Sequence, residues 1–129
     1  AGDQFLGVSV PQIRGVVRAH TLTLPQTLPL LKNPWHECRL AGALFLVRAF
    51  ETAPNARVRA QVFRFYLAHR KAINNWDLVD SSSTAIVGSY CLETKNTAPM
   101  KSLAQSTRHW DRRMAMVATL AFTRAGKPK

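Results

Sequence analysis

Asn33-Pro34-Trp35-His36-Glu37-Cys38-Arg39 runs directly into Leu40-Ala41-Gly42-Ala43-Leu44-Phe45-Leu46-Val47 and on to about Thr52. Asn33 has the side chain of a helix N-cap and Pro34 suits the first helical position. Glu37 places an acid in the first turn, against the helix dipole. Leu40 to Val47 is apolar nearly all the way round, so this helix is expected to be packed on several sides. After the break at Pro54-Asn55, the stretch from about Ala56 to Lys71 sets Val58, Val62, Phe65 and Tyr66 at helical spacing. Its other faces carry Arg57, Arg59, Arg64, Arg70 and Lys71, giving a core stripe backed by positive charge.

The flanking segments read the same way. Gly2 to Pro11 is an irregular entry loop, and Pro11 opens a helix through Ile13, Val16 and Val17 to about Ala19. Leu24 to Leu31 forms a short helix, with Pro25 and Pro29 inside it working against its regularity. Asn74 or Asn75 caps a helix that starts with Trp76 and continues through Ile86 and Val87 to about Leu92. Thr94 to Pro99 is a polar loop, Pro99 to Gln105 a short helix, and the last helix runs from near Thr107 to Arg124. Gly126 is its natural C-terminal cap. No strand-like alternation competes anywhere, so the class is all-α. Helices of similar length joined by short turns favour a solenoid of antiparallel helical hairpins over a four-helix bundle.

The chain has 129 residues, 47% of them apolar, which suits one domain with a real core over residues 1–129. Its formal net charge is +11, an excess that favours a polyanionic partner such as nucleic acid or an acidic membrane surface. The longest apolar run, Leu40 to Val47, falls short of the about 18 residues that a bilayer span needs. Cys38 and Cys91 stand alone, without zinc-ligand spacing, so no metal is expected and a reducing, cytoplasmic setting is the default.

The chemistry concentrates in Ile73-Asn74-Asn75-Trp76-Asp77-Leu78-Val79-Asp80. Trp76 and Asp80 stand at i and i+4, which puts indole and carboxylate on one helix face. Asp77 is rotated away and free to pair elsewhere. A large electron-rich ring beside an anion suits a cationic ligand or a developing positive charge. The bland alternative has Trp76 filling a core and Asp80 pairing with an arginine.

Four pieces of sequence together resemble the DNA alkylation repair glycosylases with HEAT-like repeats: Gly2-Asp3-Gln4-Phe5-Leu6-Gly7-Val8 with Pro11-Gln12-Ile13-Arg14; His36-Glu37-Cys38-Arg39; the Ile73–Asp80 string; and Trp110-Asp111-Arg112-Arg113-Met114-Ala115. They occur in that family's order, and the likeness runs essentially end to end. The resemblance implies a superhelix whose basic concave face holds duplex DNA carrying alkylated bases. It also implies excision of cationic N3- and N7-alkylated purines without metal or cofactor. By position, the family's catalytic pair falls on Trp76 and Asp80 and its arginine on Arg113. Arg113 would grip a flanking phosphate, with an ion pair to Asp77 or Asp80 as the rival role. Arg57, Arg64, Arg70, Lys71, Arg108 and Arg124 are diffuse candidates for backbone contacts. His36, Glu37 and Arg39 read as a structural network, Trp35 and Trp110 as packing residues, and Met114 and Met116 as core.

The family usually carries a helical segment before the Gly-Asp-x-Phe-Leu-Gly loop and further helix pairs after the Trp-x-x-Arg helix. The chain is accordingly expected to be a partial or shortened version of the family domain. The last helix is apolar on more than one side, an uncapped face that a second copy would cover in a two-fold dimer. The other function in play is a non-catalytic nucleic-acid-binding or scaffold protein that kept the fold without the chemistry.

Overall fold

The computed structural model describes residues 4–125. Its elements in order are α1 (Val10–Ala19), α2 (Leu24–Leu31), α3 (His36–Glu51), α4 (Ala56–Ala68), a 3-10 turn (Arg70–Ala72), α5 (Trp76–Ser83), a π-helical stretch (Thr84–Gly88), α6 (Ser89–Thr94), α7 (Ala98–Ala104) and α8 (His109–Ala125). No strand occurs among the described residues, only an isolated bridge between Gln4 and Trp35. The all-α expectation is borne out. Gly2, Asp3 and the Gly126 cap lie outside the described residues.

Side-chain chemistry sets most helix starts. Ser9 and Gln12 form a reciprocal capping box on α1, and Asn55 accepts from the Val58 N–H on α4 at 3.0 Å. Asn75 caps α5 by accepting from the Asp77 N–H at 3.0 Å, which decides between Asn74 and Asn75. The start of α3 departs from expectation: it begins at His36, with Trp35 at the cap and Pro34 outside the helix. The Asn33 side chain instead accepts from the Trp35 N–H, and the His36 N–H donates to the Gln4 carbonyl at 2.7 Å. The carbonyls of Asn33 and Pro34, which a start at Pro34 would offer to the N–H groups of Glu37 and Cys38, accept from Arg39 Nη1.

α5, the π stretch and α6 form one rod from Trp76 to Thr94. α4 runs antiparallel to it. Arg59 pairs with Glu93, Phe63 stacks on Tyr90 with centroids 3.9 Å apart, and the Tyr66 hydroxyl meets Ser82 and Ser83 at 2.7 and 3.0 Å. One assignment of protons satisfies all three hydroxyls: Ser83 donates to Tyr66, Tyr66 to Ser82, and Ser82 to the Leu78 carbonyl. The buried stripe of α4 is therefore Val62, Phe63 and Tyr66, with Val58 and Phe65 only half-buried.

The rod and α8 run parallel. Asp80 meets Arg113, the Thr84 hydroxyl donates to the Val117 carbonyl at 3.0 Å, and Gly88 lies against Ala118 and Ala121. Parallel neighbours, each backed by a shorter antiparallel helix, are the geometry of stacked helical hairpins. Buried side chains from α1 to α8 join in one cluster centred on Leu46, Leu78, Val79, Ile86, Val87, Met114 and Ala118. Met114 is fully buried as expected, but Met116 is 59% exposed and does not belong to the core. α8 turns that side chain outward, although its sequence neighbours Ala115 and Val117 are buried.

Candidate active site

α5 and α8 are held side by side at their N-terminal ends, and that junction collects the chemistry. The first turn of α5 presents Trp76, its second turn presents Asp80, and the second turn of α8 presents Arg113. Arg113 grips Asp80 with a two-pronged fork, Nε to Oδ1 at 3.1 Å and Nη2 to Oδ2 at 3.0 Å. The same guanidinium lies over the Trp76 ring, its carbon 4.2 Å from the ring centroid, within cation–π range. Trp76 is half exposed at 51%, and the Asp80 side chain keeps 44% of its surface in solvent. The bland role for Trp76 as core filler is therefore not what the fold gives. The pairing of Asp80 with an arginine is, at the surface rather than in the interior.

Two more rings complete the surface. The edge of Trp76 meets Trp110 at 90° with centroids 5.6 Å apart, and His109 lies 4.7 Å from Trp110. Trp110 packs against the hydrophobic core as expected and also joins the aromatic cluster. Asp77 points the other way, as its helical angle requires, and its Oδ2 lies 3.5 Å from Nε2 of the buried His36. Phe5 packs on the other side of that imidazole, ring centroids 4.9 Å apart. Beyond Asp80 opens a groove of about 510 Å³ walled by Arg14, Ser81, Thr84 and Arg124. Its lining mixes the cations Arg14 and Arg124 and several hydroxyls, which suit a phosphate-bearing strand, with the carboxylates of Glu51 and Asp80.

Glu37 and Arg39 hold the surroundings rather than the site. The Glu37 carboxylate accepts from the N–H groups of Leu6, Gly7 and Val8 at 2.8, 2.8 and 3.2 Å. Donation from Leu6, followed by the other backbone donors, outweighs desolvation and holds this carboxyl below its ordinary value. Gly7 makes the cradle possible, because its φ of 81° lies in the left-handed region. Arg39 donates to the carbonyls of Asn33 and Pro34, tying down the approach to α3.

A second network went unread in the sequence. Asp111, 2% exposed, accepts from Arg108 Nη1 at 2.6 Å, Arg70 Nε at 3.2 Å and the Ser106 hydroxyl at 2.8 Å. Burial alone would raise its pKa, but those three donors prevail and hold it below the ordinary carboxylate value. Arg108 also donates to the carbonyls of Lys71 and Ile73, so the network pins the turn before Trp76 to the start of α8. Arg70 and Arg108, candidates for phosphate contact, are in fact committed to this brace. Arg57, Arg64, Lys71 and Arg124 remain exposed. The only hint available was the position of Asp111 between Trp110 and Arg112.

No group of three or more His, Cys, Asp or Glu side chains positioned for a metal occurs among the described residues, and none of their helices is long and apolar enough to cross a membrane. Neither the curated proteins nor the solved structures contain a match to this chain. The family described as DNA alkylation repair enzyme matches residues 1–129. That match spans the loop held by Glu37, the α5 face and the α8 arginine alike, and the chain belongs to the DNA alkylation repair enzyme family.

Proposed function

We propose that this DNA repair protein is a monofunctional DNA glycosylase that excises cationic N3- and N7-alkylated purines by hydrolysis. The observation that carries the proposal is the convergence of an exposed indole face and an exposed carboxylate on one guanidinium. That arrangement already holds a planar cation. An alkylated purine is itself cationic, so it leaves readily and moves positive charge onto the sugar as the glycosidic bond stretches. Asp80 stabilises that charge and positions or deprotonates the attacking water. Trp76 offers its negative π face to the sugar or base. Arg113 binds a flanking phosphate, which fixes register without reading sequence. The net charge of +11 supplies the general attraction for the duplex in a HEAT-like solenoid.

Charge selectivity tests the reading. Duplex DNA carrying N3- or N7-methylpurines should lose those bases to the purified chain, while duplex carrying uracil, an uncharged lesion, should be untouched. A chain that is folded and binds DNA with salt dependence, yet releases no base, would be the non-catalytic binder instead. The self-association expected from α8 belongs to the same proposal. Met116 and Leu120 stay 59% and 43% exposed there, and light scattering at micromolar concentration should give a dimer mass.

A further inference from the structure

We infer that Arg113 is a displaceable internal ligand: in the free protein it fills the cation site formed by Trp76 and Asp80, and an external planar cation enters only as Arg113 leaves. This rests on the reading of Trp76 and Asp80 as a cation site, and it concerns what occupies that site at rest.

The geometry is specific. A guanidinium is a flat monocation, and this one satisfies both halves of the site at once, its carbon over the indole 4.2 Å from the centroid and two of its nitrogens on the two carboxylate oxygens. Any planar cation that used the same indole face and the same carboxylate would overlap it. The pair is also poorly suited to holding the fold together. Asp80 is 44% and Arg113 24% exposed, a setting in which even a bidentate pair is open to water and screened by salt. The bracing of this junction is done elsewhere, by the buried Asp111 network and by the close approach of Gly88 to Ala118.

Arg113 has somewhere to go. The groove beyond Asp80 is lined by Arg14 and Arg124, which would draw a phosphate strand alongside, with Glu51 as a further carboxylate in its lining. A phosphate accepts the same bidentate fork as a carboxylate, so the guanidinium exchanges one anion for another. The exchange uncovers the indole face and frees Asp80 in a single motion. Binding of the strand is thereby coupled to opening of the cation site, and free cations are kept out until a strand is present.

The test uses a permanent planar monocation, 1,3-dimethylimidazolium chloride, titrated at constant ionic strength against sodium chloride. The readout is the Trp76 indole N–H signal in the nuclear magnetic resonance spectrum, assigned with Trp76→Phe. Arg113→Ala should bind the cation roughly fivefold to thirtyfold more tightly than the unaltered chain, the span expected for removing an exposed ion pair and cation–π contact. Arg113→Gln, which keeps a long polar side chain, is the second variant should the alanine chain fold poorly. Arg112→Ala removes the same charge from the neighbouring position, where Arg112 donates to the Ser106 carbonyl, and should leave the affinity unchanged. Adding Asp80→Asn to Arg113→Ala should abolish the gain. Equal or weaker cation binding by both Arg113 variants overturns the inference, even if the chain excises alkylated bases. Tighter binding with no excision leaves the inference standing and removes the proposed function.

Discussion

Replacing Gly88 with alanine would separate the two helices that carry the candidate site. Gly88 lies in the π-helical stretch, and a Cβ built there would sit 2.5 Å from the Ala118 carbonyl oxygen and 2.8 Å from the Ala121 Cβ. The first distance is about 0.9 Å short of the roughly 3.4 Å at which ordinary contact begins, and backbone cannot fold out of the way as a flexible side chain can. The rod and α8 must therefore move apart by most of an ångström. Overpacking of this kind costs about 1–3 kcal/mol. Alanine recovers up to about 1 kcal/mol of helix propensity, so the net expectation is a loss of about 1–2 kcal/mol. For a chain of this size that lowers Tm by roughly 3–8 °C, measurable by thermal or urea unfolding followed by circular dichroism. The same displacement would move Arg113, and with it the flanking phosphate it is proposed to bind, out of register with Trp76 and Asp80. Excision under single-turnover conditions should fall about tenfold to a hundredfold, as misplacement by an ångström commonly does. A Gly88→Ala chain as stable as the unaltered one would refute the close parallel packing on which this reasoning stands.

Other expectations follow from the buried polar groups. Asp111→Asn should destabilise the chain by about 2–4 kcal/mol, since it strips the charge from a carboxylate that holds two arginines. It should also lower excision, because the turn before Trp76 is no longer pinned to α8; intact activity would mean the brace does not position the site. Glu37 and Asp111 both have lowered pKa values, so their stabilisation is present above the ordinary carboxylate range and is lost as pH falls through the still lower folded values. Acid unfolding should accordingly begin below about pH 4 and weaken in steepness when Glu37 becomes Gln. Tyr66 shifts the opposite way: burial pushes its pKa up to about 12, partly offset by the hydroxyls of Ser82 and Ser83. Its stabilisation is intact below about pH 10 and is lost as pH rises toward about 12, a component of alkaline unfolding that Tyr66→Phe should remove.

What could be read in advance was local. Apolar spacing located every helix, and the i, i+4 relation of Trp76 and Asp80 placed them on one face while sending Asp77 to another partner. The Asn-Pro helix start failed because its signal is equally local, and the Arg39 guanidinium takes the Asn33 and Pro34 carbonyls that such a start would use. Asp80 and Arg113 lie 33 positions apart, so only the resemblance of the two strings suggested that they meet. Spacing could not reveal that the meeting is a bidentate fork whose guanidinium lies over the indole. Asp111 was invisible for a related reason. In a Trp-Asp-Arg-Arg string it looks like one more surface charge, and its burial depends on Arg70 and Arg108 arriving from two other segments. The π stretch left no mark either, since Ile86-Val87-Gly88 fits an ordinary helical period. Met116 shows the limit of composition: an apolar helix with neighbours on one side leaves part of its apolar surface outside.

The most direct test of the account is release of N-methylated purines from methylated duplex DNA, followed under single-turnover conditions for the unaltered chain and for Asp80→Asn. The substitution preserves shape and removes the charge that would stabilise the departing bond's cation, so the account predicts release by the unaltered chain and a loss of about 100-fold to 1,000-fold in the variant. Equal rates of release from the two chains would contradict it.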